Sequence, residues 1–213
     1  MLTGSDSMKH EVFTLFPTPV YCTVRDSDLN STEEKEIKAI IEEGMKPNIS
    51  NSSSANTHIF DTRLGDIKKF CEHHIKKYVE KIISPKEELD FYITQSWLNI
   101  NRPGEEHHAH WHQNSIISGV FYISTLEDDS IHFYDPNSKL KDFLQSEPLE
   151  NNIWNSIAWS VNITNKVLIL FPSWLNHSVA QNKTADTNRI SISFNTFAKG
   201  TFGIKGTLNE LII

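Results

Sequence analysis

The chain has 213 residues, 38% hydrophobic and 22% charged, with a formal net charge of −7. That length suits one domain with a sizeable core, and the acidic balance argues against a nucleic-acid backbone as the main partner. No apolar run reaches membrane-spanning length, the first residues lack a basic-then-apolar leader, and two cysteines, Cys22 and Cys71, are too few for a disulfide framework. The expectation is a cytoplasmic protein with reduced, buried thiols.

Residues 12–24 alternate apolar and polar side chains around Pro17 and Pro19, which predicts an edge strand or extended arm. Ser31, with Glu34 three residues on, is a capping signal. It opens a helix through Ile37, Ile40 and Ile41 that stops near Gly44 and Pro47. A polar Ser/Asn-rich loop follows over 48–57. Ile67, Phe70, Cys71, Ile75, Tyr78, Val79 and Ile82 then recur at helical spacing, predicting a second helix over 64–83 that Pro85 ends.

From Phe91 onward the pattern is one of strands and turns, with strands predicted over 92–101, 115–124, 130–134, 158–163, 167–171, 177–181 and 188–197. The connection over 135–155 is long and carries Trp154, which reads as a lid or substrate loop. Two helices followed by short strands predict a mainly β fold with flanking helices (α+β), a jelly roll preceded by the helices. The expected organisation is a single domain over 1–213, divided into an N-terminal strand and helices (8–90), a β core (91–197) and a C-terminal tail (198–213).

The chemistry concentrates in residues 105–112, Glu-Glu-His-His-Ala-His-Trp-His, where four of the ten histidines fall within six positions. Side chains two apart on a strand share a face, so His110 and His112 can meet one metal ion from the same side. His108 has the same parity, which leaves His108/His110 as an alternative pair, while His107 is expected to face the other way into solvent. His177, in Pro172-Ser173-Trp174-Leu175-Asn176-His177, is the natural third ligand.

A hairpin over 182–187 would set His177 close to Ser191 across the ladder. Arg189, Ser191 and Ser193 alternate on one face of the last strand, and a guanidinium fork beside a hydroxyl describes a receptor for a carboxylate. Tyr122 can add a donor from a neighbouring strand. The bland reading of Arg189 is an ion pair with nearby Asp186. Glu105-Glu106 and Asp128-Asp129 read as solvated turns, and Asp135 as the one acid able to act as a stray ligand.

The ordered set Trp97-Leu98-Asn99, Gly104, His110-Trp111-His112-Gln113-Asn114-Ser115, Ser118-Gly119-Val120-Phe121-Tyr122, 170–177 and Arg189-Ile190-Ser191-Ile192-Ser193-Phe194-Asn195 resembles the 2-oxoglutarate/Fe(II)-dependent oxygenase family of marine bacteria and phages. The opening segment Leu15-Phe16-Pro17-Thr18-Pro19-Val20 resembles that family too. The resemblance implies a double-stranded β-helix, Fe(II), and 2-oxoglutarate as co-substrate. It matches His110 and His112 to the strand-borne ligand pair and His177 to the distal histidine. Arg189 and Ser191 match the Arg-x-Ser that clamps the far carboxylate, and Tyr122 a co-substrate-binding tyrosine of prolyl-hydroxylase-like relatives. Asn99, Trp97, Asn114 and Ser193 are candidate pocket lining, and Trp154 and Trp159 candidate parts of the mouth.

One departure matters. The wider superfamily uses two histidines and one carboxylate, whereas His112 makes this set three imidazoles. A neutral ligand leaves the ion its full charge, which strengthens the hold on an anionic co-substrate and removes a negative ligand that stabilises higher oxidation states. The function implied is an Fe(II)- and 2-oxoglutarate-dependent hydroxylase acting on an unidentified substrate. The site has no expected nucleic-acid or membrane partner, and lies in the cytoplasm, or the host cytoplasm if the chain is phage-encoded. The rivals are a three-histidine cupin-type metalloprotein with other chemistry, and a non-catalytic jelly-roll binding or structural protein.

Overall fold

The structure, a computed structural model, describes residues 11–138 and 147–213. An edge strand β1 (Tyr21–Val24) precedes α1 (Ser31–Glu42), and α2 (Gly65–Tyr78) runs on into a single π-helical turn, Val79–Ile83. The cap of α1 sits one residue before the expected one. Asn30 accepts from the Thr32 and Glu33 amides, and the Glu33 carboxylate takes the Asn30 N–H at 2.9 Å. Asn out-competes Ser as the cap because its side-chain oxygen reaches both amides. Glu33 is buried and paired with Arg25 at 2.8 Å, so this box also ties the helix to the strand before it.

The polar stretch expected as a loop is instead a short hairpin, β2 (Met45–Pro47) and β3 (Ser52–Ser54). Its serines carry little strand propensity, but β3 pairs with the next strand, and the Ser54 hydroxyl takes the Leu98 N–H at 3.1 Å. Tertiary pairing overrides composition here.

The remaining strands are β4 (Leu89–Asn101), β5 (His107–His110), β6 (Ile117–Ser124), β7 (Ser130–Tyr134), β8 (Ala158–Asn162), β9 (Val167–Pro172), β10 (His177–Val179), β11 (Arg189–Phe202) and β12 (Leu211–Ile212). They form a large sheet in the order β1-β9-β6-β11-β4-β3-β2, with β12 on β11, and a small sheet in the order β5-β10-β7-β8. The two sheets face each other as a double-stranded β-helix.

The large sheet is apolar on its outer face. Leu98, Ile100, Phe121, Leu168, Leu170, Ile192 and Phe194 pack there against Ile37 and Ile40 of α1 and Ile67, Cys71, Ile75 and Tyr78 of α2. Each such burial stabilises by about 1.5–3 kcal/mol. Gly119 shows how tight the layer is, because an added Cβ would sit 2.1 Å from the Phe194 ring. A second cluster, Val120, Ile131, Phe133, Ile169, Phe171 and Leu175 among it, fills part of the space between the sheets. Cys71 lies in the core as expected, whereas Cys22 is exposed on the edge strand β1. No helix among the described residues is long and apolar enough to cross a membrane.

One expected pairing is overturned. β10 does not form a hairpin with β11; it pairs with β5 and β7 in the small sheet, while β11 pairs with β4 and β6 in the large one. Residues 182–187 therefore cross between sheets. Asn182 holds the crossing, donating to the Asn101 and Thr187 carbonyls at 2.9 and 2.7 Å and accepting from the Thr184 N–H at 3.0 Å. His177 thus lies in the small sheet and Ser191 in the large one, rather than along one ladder.

Candidate metal centre

β5 and β10 are antiparallel neighbours, with His110 directly opposite His177. Residues so paired present their side chains on one face, and the two ring centres are 4.3 Å apart. His112 lies two residues past His110, where its backbone N–H bonds to the Ser173 carbonyl at 2.9 Å. Its ring centre is 5.0 Å from that of His110 and 5.2 Å from that of His177. One nitrogen from each of the three rings lies within 4.8 Å of the other two.

Hydrogen bonds fix how two of these rings point. His110 Nδ1 lies 2.8 Å from the His108 carbonyl, and His177 Nδ1 lies 3.0 Å from the Leu175 carbonyl. A carbonyl only accepts, so each Nδ1 carries the proton and each Nε2 keeps its lone pair free for a metal. Burial reinforces the neutral form. It holds His112 down at about 4 and His177 well below the usual imidazole range, and it lowers His110 as well. Three neutral nitrogen donors converging on one point fit a divalent first-row ion.

The rest of the histidine run is arranged by a register shift. Between His177 and Val179 the small sheet pairs two β10 positions with three on β5, so that Val179 faces His107. An extra residue on one strand turns its side chains by one position. His107 therefore faces inward, against the expectation of a solvated residue. Its ring stacks on His110 at 4.5 Å and 19°, Asn51 reaches its Nδ1 at 3.5 Å, and burial holds it at about 3. His108, the alternative ligand, lies outside the three-ring group, and its Nδ1 is buried without a partner among the described residues. Asp135 is also outside the group.

Across the interior, the inner face of the large sheet carries the anion-binding candidates. Arg189 is opposite Asn101, while Ser191 lies between Asn99 of β4 and Tyr122 of β6. Trp97 is opposite Ser193, and its ring is 6.0 Å from that of His112. Asn99 donates to the Ser193 hydroxyl at 2.9 Å. Asn114 is apart from this row, exposed on the loop after His112 with φ of 53°.

Arg189 is 1% exposed. Its Nε donates to Asp129 at 2.7 Å and its Nη2 to the Ala180 carbonyl at 2.6 Å. The partner is thus Asp129, 4% exposed, and not Asp186; the turn expected to be solvated is buried at this residue. Arg189 Nη1 has no partner among the described residues, nor have Tyr122 Oη, Asn99 Oδ1 and Asn101 Nδ2. Burial also raises the Tyr122 hydroxyl above its usual range, keeping it a donor. Buried polar atoms without partners are costly and rare in proteins, so a cluster of them on neighbouring strands of one sheet points to a ligand that satisfies them. Donors from a guanidinium and a phenol suit a carboxylate.

Sequence reasoning missed Asp129, Asn101, Asn51 and His107. Asn101 shares the strand parity of Trp97 and Asn99 and was open to detection. Asp129 is 60 residues from Arg189 and gave no local sign. Trp111, Trp154, Trp159 and Trp174 are all about half exposed, at 57%, 52%, 47% and 55%. The expected lid over 135–155 lies partly outside the described residues.

Residues 95–195 match the family described as "Putative 2OG-Fe(II) oxygenase". No curated protein matches the chain in sequence. Among solved structures it is similar to SnoK, the non-heme α-ketoglutarate-dependent carbocyclase of nogalamycin biosynthesis, at 12% identity with a TM-score of 0.56 over 85% of this chain and 81% of that one. It is similar to a Pseudomonas putida prolyl-4-hydroxylase, at 11% identity and a TM-score of 0.55 over 84% and 94% of the two chains. HygX from Streptomyces hygroscopicus, crystallised with nickel, 2-oxoglutarate and hygromycin B, aligns at 10% identity and a TM-score of 0.51 over 84% and 82%. At such identities the likeness is one of fold, and that fold is the double-stranded β-helix described above. The segment 95–195, which carries all three histidines and Arg189, is thus similar to the 2OG-Fe(II) oxygenase family on a double-stranded β-helix fold.

Proposed function

We propose that His110, His112 and His177 hold Fe(II), and that Arg189, Ser191 and Tyr122 take the far carboxylate of 2-oxoglutarate, in an enzyme that hydroxylates a substrate yet to be identified. One observation carries this reading. The imidazoles of His110, His112 and His177 converge, and on the large sheet Arg189 Nη1 and Tyr122 Oη are buried without a partner among the described residues.

β10 runs from the imidazole cluster to the guanidinium, since His177 is its first residue and the Ala180 carbonyl just past its end accepts from Arg189. Three residues of strand span about 10 Å, and a short dicarboxylate would lie along that stretch between the two groups. Arg189 and Tyr122 orient that molecule, and its burial against Ser191 and Asn99 keeps bulk water away from its charged end. The carbonyls of His108 and Leu175 keep two imidazole lone pairs aimed at a shared point. When bound, iron and 2-oxoglutarate supply the oxidising power for C–H hydroxylation by O₂, releasing succinate and CO₂. Trp111 and Trp174, exposed on the loops that carry the ligands, are the side chains best placed to meet a substrate at the mouth.

The test is succinate formation from 2-oxoglutarate with Fe(II) and O₂, beside anaerobic titration of 2-oxoglutarate into protein loaded with Mn(II). His177→Ala is expected to lose metal binding and turnover together. Tight zinc binding without any 2-oxoglutarate affinity would favour the three-histidine metalloprotein of other chemistry, and absence of both would leave a non-catalytic jelly roll.

A further inference from the structure

We infer that Asp129 sets the charge balance of the co-substrate chamber, supplying at the arginine end the negative charge that a carboxylate ligand would otherwise bring to the metal end. The inference rests on the metal and co-substrate reading above. Two independent features of the chain meet in it. At one end, the ligand set is three imidazoles, so a divalent ion there keeps both its charges. At the other, the arginine facing the chamber is already paired, Nε to carboxylate at 2.7 Å, with both side chains no more than 2% exposed.

The pair is not explained by stability alone. A buried ion pair roughly breaks even against apolar residues of similar volume, and this one leaves Arg189 Nη1 without a partner, which adds a further cost. The carboxylate is itself held in place: Asp129 Oδ1 accepts the Ser130 N–H at 3.0 Å and Oδ2 the Leu126 N–H at 3.4 Å. It grips the Nε edge, the Ala180 carbonyl takes Nη2, and the Nη1 edge is what remains for a ligand.

Counting charges then gives the consequence. With two histidines and a carboxylate on the metal, one net positive charge at the ion plus a free arginine would offer two positive charges to the dianion. Here the ion keeps two, and Arg189 and Asp129 cancel, so the total is again two. Asp129 and His112 are electrostatic counterparts on opposite walls, and Asp129 is a positioning residue for Arg189 as well.

The test is a double-mutant cycle read by 2-oxoglutarate affinity, by anaerobic calorimetry on the Mn(II)-loaded full chain, with Mn(II) affinity measured in parallel. His112→Asp alone keeps a metal ligand of accepted type but removes one positive charge, and is expected to weaken 2-oxoglutarate about tenfold. Adding Asp129→Asn restores the total, and is expected to recover at least threefold of that loss. Losses that add, with no recovery in the double variant, overturn the inference, since a merely structural Asp129 would lower affinity equally in both backgrounds. If Asp129→Asn fails to fold, His112→Asp still decides: unchanged or tighter 2-oxoglutarate binding, with Mn(II) held, refutes the charge balance. Absence of 2-oxoglutarate binding by the wild-type protein would sink the site reading and this inference together, whereas binding without recovery sinks only the inference.

Discussion

Residues 190, 192 and 194 of β11 and residues 189, 191 and 193 of the same strand share a backbone and differ in almost everything else. The first set, Ile190, Ile192 and Phe194, lies on the helix side, in an apolar layer where every side chain meets others. The second, Arg189, Ser191 and Ser193, is just as deeply buried but polar, in a chamber with unsatisfied donors on its wall. The period of a strand separates what holds the protein together from what it does. One face stabilises the fold, and the other carries a standing cost that, on the proposed reading, 2-oxoglutarate relieves.

That division gives an order of expected effects. Phe194→Ala empties a space lined by Phe60 and closed over Gly119, and should cost about 3–5 kcal/mol in chemical denaturation. The fraction still folded should bind 2-oxoglutarate normally; a parallel fall in affinity would break the separation of the two faces. Arg189→Met should weaken 2-oxoglutarate about 100-fold by calorimetry, from loss of a charge-assisted contact. It should also lower stability by leaving Asp129 buried and unpaired, so Asp129→Asn in the same chain should restore the melting temperature but not the affinity. Tyr122→Phe removes an Oη that has no partner among the described residues. It should weaken 2-oxoglutarate about tenfold while leaving the melting temperature unchanged or raised; a clear drop in melting temperature would show that the hydroxyl serves the fold.

The comparison is sharpened further by pH. Burial holds His112 at about 4 and His107 at about 3, below the ordinary 6.5 that the unfolded chain shows. From pH 6.5 downward the unfolded state therefore takes up protons that the folded state refuses, and stability falls with falling pH until about 3–4, while above 6.5 these groups have no effect. Melting temperatures in chelator should follow that slope, and His112→Asn should flatten it. An unchanged slope would mean that other groups produce it.

The sheet core and the three-histidine group were largely legible in the sequence because both are written in local periods. Alternation gave β6 to β10 within two residues at each end, and the spacing of His110 and His112 picked out two members of the three-ring group. What was not legible depends on which strands meet. A hairpin from β10 to β11 was the economical guess from a short connection, yet residues 182–187 cross between sheets. Asp129 and Arg189 find each other only after that crossing is made. The inward turn of His107 needs one extra residue in a ladder, which strict alternation cannot foresee. The Ser/Asn hairpin is a similar case, strand by pairing and not by composition.

The histidine run has a further property once its ladder is known. His108 and His110 repeat the spacing of His110 and His112, so sliding the segment by two positions would exchange one imidazole couple for another of identical chemistry. Under the proposed metal reading, a strand docked two positions out of step would still present a pair of imidazoles at the same spacing.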